Sequence, residues 1–175
     1  MICIKRKIFL LNDICLVGNL KGDKSMSTTR EEKKLAQITI EELMIPSEKV
    51  AHVQLNNPLE HALLVLTGSG YFAVPVLNSE NKLAGSISKT IILDQILGIE
   101  RYEVEKLSHL RVSDVMDQEV ARIEKSKLFI DGVKSVIDAP FVCVIDTEGR
   151  FEGILTRRAI LKMVQREYYQ RHFGT

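Results

Sequence analysis

The chain has 175 residues, 45% hydrophobic and 27% charged, the proportions of an ordinary globular protein with room for one core or two small motifs sharing one. A net charge of +1 and only 6% aromatic residues, with no tryptophan, argue against a polyanion-binding surface or a stacking platform, so no nucleic-acid partner is expected. The three cysteines, Cys3, Cys15 and Cys143, have neither metal-site nor disulfide-framework spacing, which points to a reducing, cytoplasmic setting.

Met1 to Val17 joins a basic cluster, Lys5-Arg6-Lys7, to the apolar run Ile8 to Leu11, as a secretory signal does. Asn12 and Asp13 break the run, no small-x-small cleavage site follows, and the stretch is too short to cross a bilayer; no membrane association is expected. Lys21-Gly22-Asp23 can be encoded by a purine-rich stretch resembling a ribosome-binding site, with Met26 at suitable spacing. Met26 is therefore the expected start, and the preceding segment a translated leader.

Thr39 with Glu42 makes a capping box that opens a short helix ended by Pro46. Val50 to Leu55 reads as a strand, and Asn57-Pro58 as a helix cap followed by proline, ahead of the apolar run Leu59 to Leu66. Gly68 and Gly70 stop that helix. Phe72 to Leu77 and Leu83 to Ser88 are strands joined by a turn at Asn78 to Asn81, and a helix follows from Lys89 to Leu97, ended by Gly98. The same order then returns. Thr39-Ile-Glu-Glu-Leu-Met44 matches Arg111-Val-Ser-Asp-Val-Met116, and Val50-Ala-His-Val53 matches Val120-Ala-Arg-Ile123. Val74-Pro-Val-Leu-Asn78 matches Val142-Cys-Val-Ile-Asp146, and Gly85-Ser-Ile-Ser88 matches Gly153-Ile-Leu-Thr156. The second copy carries its turn at Asp146 to Gly149 and a long final helix from Arg158 toward Phe173. One repeat is too small to bury both its sheet and its helices, so two must pack sheet against sheet.

This pattern resembles the CBS domain, a β-α-β-β-α motif found in tandem pairs, on Leu43-Met44, Val115-Met116, the Val-Pro-Val and Val-Cys-Val strands and the two Gly-x-hydrophobic-Ser/Thr ends. The implied fold is α+β, two repeats packed with pseudo-two-fold symmetry. The expected divisions are an N-terminal extension at 1–37, either disordered or a mistranslated leader, a first CBS domain at 38–98, a linker at 99–110, and a second CBS domain with an extended C-terminal helix at 111–175. Lys49-Val-Ala-His-Val53, Leu59 to Leu66, Gly70-Tyr71, Phe141-Val-Cys-Val144 and Phe151-Glu-Gly-Ile-Leu-Thr-Arg-Arg158 are similar to the stand-alone CBS proteins of Firmicutes that bind cyclic di-AMP. That resemblance implies a regulatory ligand and no cofactor, a homodimer, and a protein partner, a ppGpp synthetase of the RelA type, engaged when the dinucleotide is absent.

Many CBS pairs place an Asp, which holds a ribose, three residues after the Ser or Thr that ends the third strand. Here Ile91 and Ala159 stand in its place, against a conventional AMP or ATP site. The second repeat instead presents Thr156, Arg157 and Arg158 where a strand runs into a helix, with backbone N–H groups and two guanidinium groups suited to phosphates. Adenine walls are expected from Lys49, Val50, Ala51 and His52 of the first repeat and from Tyr71 to Pro75, including Ala73. Ala51 leaves room for a base; Tyr71 can stack on one or simply close a helix–strand turn. Lys49 can reach a phosphate or stand in solvent, and His52 reads more naturally as a satisfied strand residue.

No nucleophile–base pair, metal cluster or P-loop is visible: Gly68-Ser-Gly70 lacks Lys-Ser/Thr and precedes a strand, and His52, His61, His109 and His172 lack ligand spacing. Cys143, in an apolar strand, reads as a core residue. The chain is therefore expected not to be an enzyme. Two other readings stay open: a CBS-fold scaffold without ligand, and an AMP/ATP-type energy sensor. Gln95-Ile96-Leu97 and Ile160, Leu161, Val164 and Tyr168 are expected to present apolar faces to a second copy.

Overall fold

The computed structural model describes residues 37–98 and 103–173. The segment expected to be a translated leader, with Cys3 and Cys15, the expected start Met26, and residues 99–102 of the expected linker lie outside them. Thr39 donates from both its backbone N–H and its hydroxyl to Glu42 Oε1, at 3.1 and 3.0 Å, and these bonds hold the Glu42 carboxyl below its usual range. The expected helix is only one turn, with Leu43 N and Met44 N donating to Ile40 O. Pro46 is the reason: it forces Ile45 into extended backbone, and Ile45–Pro46 becomes strand β1.

After a 3₁₀ turn at Ser47–Lys49, β2 is only Val53–Gln54, shorter than the expected Val50 to Leu55. Asn57 does not cap the next helix. Its Oδ1 accepts from Gln54 N at 2.8 Å, closing a turn, and Pro58 stands at the N-cap. Helix α1, Leu59–Ser69, buries Leu59, Ala62 and Leu66 at helical spacing and ends at Gly70, whose φ of 72° is left-handed; Gly68 lies inside the helix. Strand β3 (Ala73–Leu77), β4 (Leu83–Ser88) and α2 (Lys89–Ile96) follow the sequence reading closely. The turn between the strands is closed by Asn78 Oδ1, which accepts from Glu80 N and Lys82 N.

Two short helices, α3 (Lys106–His109) and α4 (Val112–Val115), lead to β5 (Arg122–Glu124), α5 (Phe129–Ser135), β6 (Phe141–Ile145), β7 (Phe151–Thr156) and α6 (Arg157–Phe173). One sheet has the order β2-β3-β4, the other β1-β7-β6-β5. In each, the first full strand of the repeat pairs parallel with the second, which pairs antiparallel with the third.

The two hydrophobic cores do not follow the sequence repeats. The first packs Val53, Leu59, Leu66, Val74, Val76, Ile87 and Ile92 with Leu107 and Val112, which come from beyond the first repeat. The second packs Ile123, Phe129, Val142, Val144, Leu155 and Ile160 around Ile40, which comes from the first repeat's head. A third cluster, Val50, Leu77, Cys143, Phe151 and Ile154, lies where the two sheets meet. Across that junction the hairpin tips also bond, Leu83 N to Gly149 O and Phe151 N to Asn81 O.

The exchange of heads explains the repeated glycine. Strand β1 lies antiparallel on β7 with Pro46 opposite Gly153, and Asp117 bridges Ser86 beside Gly85. A Cβ on Gly153 would meet the Ile45 carbonyl oxygen, and one on Gly85 the Asp117 carbonyl oxygen. Backbone cannot retreat from a methyl group there as a flexible side chain could. Gly85→Ala and Gly153→Ala should therefore each destabilise the fold by about 1–3 kcal/mol. Gly68→Ala, in open space within α1, should stabilise it by roughly 0.5–1 kcal/mol, and chemical denaturation of the three variants checks the contrast.

Candidate functional site

Where the repeats meet, a cavity of about 220 Å³ is lined by Val50, Ala51, Tyr71, Phe72, Ala73 and Pro75 from the first repeat and by Pro140, Phe141, Ile154 and Thr156 from the second. Val50 is fixed by its N–H bond to Ser47 O at 3.0 Å, so the 3₁₀ turn delivers Val50-Ala51 to the cavity as extended backbone. Ala73 with Pro75 on β3, and Ile154 with Thr156 on β7, are spaced by two and so share a sheet face. Pro75 and Ile154 are buried, whereas Tyr71 and Phe72 stand exposed at the mouth. The walls are apolar apart from the hydroxyls of Tyr71, at the mouth, and of Thr156, the last residue before α6.

Thr156 Oγ1 accepts from Ala159 N at 3.1 Å, capping the helix and leaving its own O–H free to donate. Arg158, in the first turn of α6, is exposed and makes no side-chain hydrogen bond or ion pair among the described residues. Arg157 is engaged differently. Its Nε donates to Val136 O and its Nη2 to Ile137 O, both at 3.1 Å, while its backbone N–H donates to Pro140 O at 3.2 Å.

The CBS domain family model matches residues 40–98. Over 132 residues, 75% of this chain and 90% of the relative, the sequence is 45% identical to cyclic di-AMP receptor B of Bacillus subtilis. This chain belongs to the CBS-domain proteins.

Two solved structures are similar to this CBS pair throughout. A CBS domain-containing protein from Bacillus anthracis is 50% identical, covers 77% of this chain and 98% of its own, and superposes with a TM-score of 0.73. The CbpB protein of Listeria monocytogenes, in complex with c-di-AMP, is 52% identical, covers 72% of this chain and 94% of its own, and superposes with a TM-score of 0.67.

Six of the ten residues expected from the sequence line one cavity in this CBS pair: Val50, Ala51, Tyr71, Ala73, Pro75 and Thr156. Lys49, His52, Arg157 and Arg158 do not. All four are exposed, and His52 turns back on its own backbone, Nδ1 3.1 Å from Val50 O, beside a separate hollow with Asn81 and Phe151. Lys49 belongs to the 3₁₀ turn rather than to the extended segment that enters the cavity, and His52 faces the other hollow. Phe72, inside the expected Tyr71 to Pro75 segment, lines the cavity as well, whereas the sequence reading assigned no place there to Pro140, Phe141 and Ile154. The repeat register held the signal for two of them: Ala73 and Phe141 are equivalent positions, as are Phe72 and Pro140, so the second repeat contributes the same wall as the first.

Among the described residues no group of three or more His, Cys, Asp or Glu could hold a metal ion, and no helix is long and apolar enough to cross a membrane. Cys143 is fully buried on β6, and loss of solvation pushes its thiol up to about 12. An unfolded cysteine ionises near ~8.5, so only the unfolded chain gains a thiolate as pH rises above that value. The stabilisation held by the neutral thiol is complete below ~8.5 and declines from there toward the folded value of about 12. Urea melts between pH 8 and 10.5 should show this decline, and Cys143→Ala should flatten it while lowering stability at every pH.

Proposed function

We propose that this CBS pair is a non-enzymatic sensor of cyclic di-AMP that signals by contact with another protein. The observation that carries the reading is the apolar cavity between the repeats, lined at one end by Thr156, with Arg158 following in the first turn of α6, exposed and unpaired among the described residues. At about 220 Å³ the cavity is smaller than the ~300–1,000 Å³ that encloses a whole drug-sized ligand, which suits one base inside with the phosphates at the rim. Tyr71 and Phe72 flank the mouth, where a second base can stack. The complex of the similar Listeria protein with c-di-AMP and the B. subtilis relative's description as a receptor support the same ligand. Ile91 and Ala159, where an Asp would hold a ribose, speak against AMP or ATP.

Calorimetry tests this reading. Cyclic di-AMP should bind more tightly than AMP or ATP, with one molecule per chain. Cyclic di-GMP should not bind, because a pocket fitted to an adenine edge leaves guanine's extra polar groups unpaired. A charge-assisted hydrogen bond contributes about 1.5–3 kcal/mol, so Arg158→Met should weaken cyclic di-AMP roughly 10- to 150-fold with the fold intact. Ala51→Leu should fill the base position and abolish binding. Tighter binding of ATP, or wild-type affinity in Arg158→Met, defeats the assignment; no adenine nucleotide binding at all leaves the scaffold reading.

The proposed assembly is a cytoplasmic homodimer. Leu93 on α2, Leu97 at its C-terminal end, and Leu161, Val164 and Tyr168 on α6 are exposed apolar residues suited to a second copy. Ile96 and Ile160, expected on that surface, are instead buried in the two cores, one on each helix's inner face. The proposed partner, a ppGpp synthetase of the RelA type, follows from the resemblance. Ligand and partner should oppose each other by the same factor in both directions, as linkage requires. Pull-downs with and without cyclic di-AMP check this: the synthetase should be recovered only without it, and equal recovery in both refutes the switch.

A further inference from the structure

The two repeats end their first helix in different ways. In the first, α1 runs to Ser69 and stops at Gly70 in the left-handed conformation, φ 72°. In the second, the equivalent position is Asp138, and α5 stops at Ser135 without a glycine, leaving the Val136 and Ile137 carbonyls at its end to be satisfied otherwise. Arg157 supplies what is missing: its planar guanidinium forks onto Val136 O and Ile137 O. Its counterpart in the first repeat is Lys89, beside a segment that already carries its own glycine cap.

The clamped segment is also a wall of the cavity. It runs from Val136 straight into Pro140 and Phe141, both lining residues, and the Arg157 backbone N–H holds Pro140 O. We infer that Arg157 is a positioning residue: it fixes the Pro140–Phe141 wall against the start of α6, so that base and phosphate subsites keep one spacing, and its guanidinium does not itself hold phosphate. This rests on the cyclic di-AMP reading of the same site. It also divides the labour of the arginine pair, leaving phosphate contact to Arg158.

Charge and fork geometry separate the two roles, because lysine keeps the first and loses the second. The experiment compares wild type, Arg157→Lys, Arg157→Met, Arg158→Lys and Arg158→Met, measuring cyclic di-AMP affinity by calorimetry and amide hydrogen exchange over residues 136–141. Arg157→Lys and Arg157→Met should weaken binding alike, roughly tenfold, and both should speed exchange in that segment. Arg158→Lys should stay within about threefold of wild type, with unchanged exchange, while Arg158→Met loses roughly tenfold or more. Wild-type affinity in Arg157→Lys with loss only in Arg157→Met would make Arg157 a phosphate ligand and overturn the inference. Faster exchange with unchanged affinity in both Arg157 variants would reduce it to a structural cap and overturn it equally, while leaving the cyclic di-AMP reading standing. A wild-type protein that does not bind cyclic di-AMP ends both.

Discussion

Each half of this molecule is closed by chain that belongs to the other. Ile40 completes the core built by the second repeat, Leu107 and Val112 complete the core built by the first, and β1 lies on β7. A pair divided at the repeat boundary would leave both cores short of a layer. The crossing is possible only where backbone meets backbone without a Cβ between, at Gly85 and Gly153. Everything at the candidate site depends on this closure, because the cavity takes one wall from each half and has no existence in either alone.

The same closure links stability to binding. Val50 and Ile154 belong both to the apolar cluster between the sheets and to the cavity lining. Cys143, behind them in that cluster, is kept a neutral thiol by burial. A ligand filling the cavity therefore adds apolar contacts to the seam that holds the halves together, and its binding energy becomes resistance to their separation.

Much of this architecture was legible in the sequence, and the failures have physical causes. The strands and turns of β3–β4 and β6–β7 could be read because Asn78 and Asp146 close their own hairpins with local side-chain bonds. Short elements could not: Pro46 converts an expected helix into one turn and a strand, and Asn57 spends its oxygen on Gln54 N rather than on a helix. For the site, the two halves of the cavity followed from the repeat and its pseudo-symmetry. Where the 3₁₀ turn ends and which hollow His52 faces did not, and so the sequence groups Lys49 and His52 with Ala51. Nor could one sequence reveal that Arg157 faces a helix end lacking a glycine, since that depends on where α5 stops.

The exchange of heads also sets an order on synthesis at the ribosome. Ile45 pairs with Ile154, more than a hundred residues later. The first core lacks Leu107 and Val112 until the chain has passed well beyond its own sheet, and Ile40 has no home until the last strand emerges. Local hairpins and helices can form as they appear, but closure belongs to the final stage of translation. A chain cut short after the first repeat would leave the ribosome with its apolar head unburied, the state in which quality-control machinery recognises an unfinished protein.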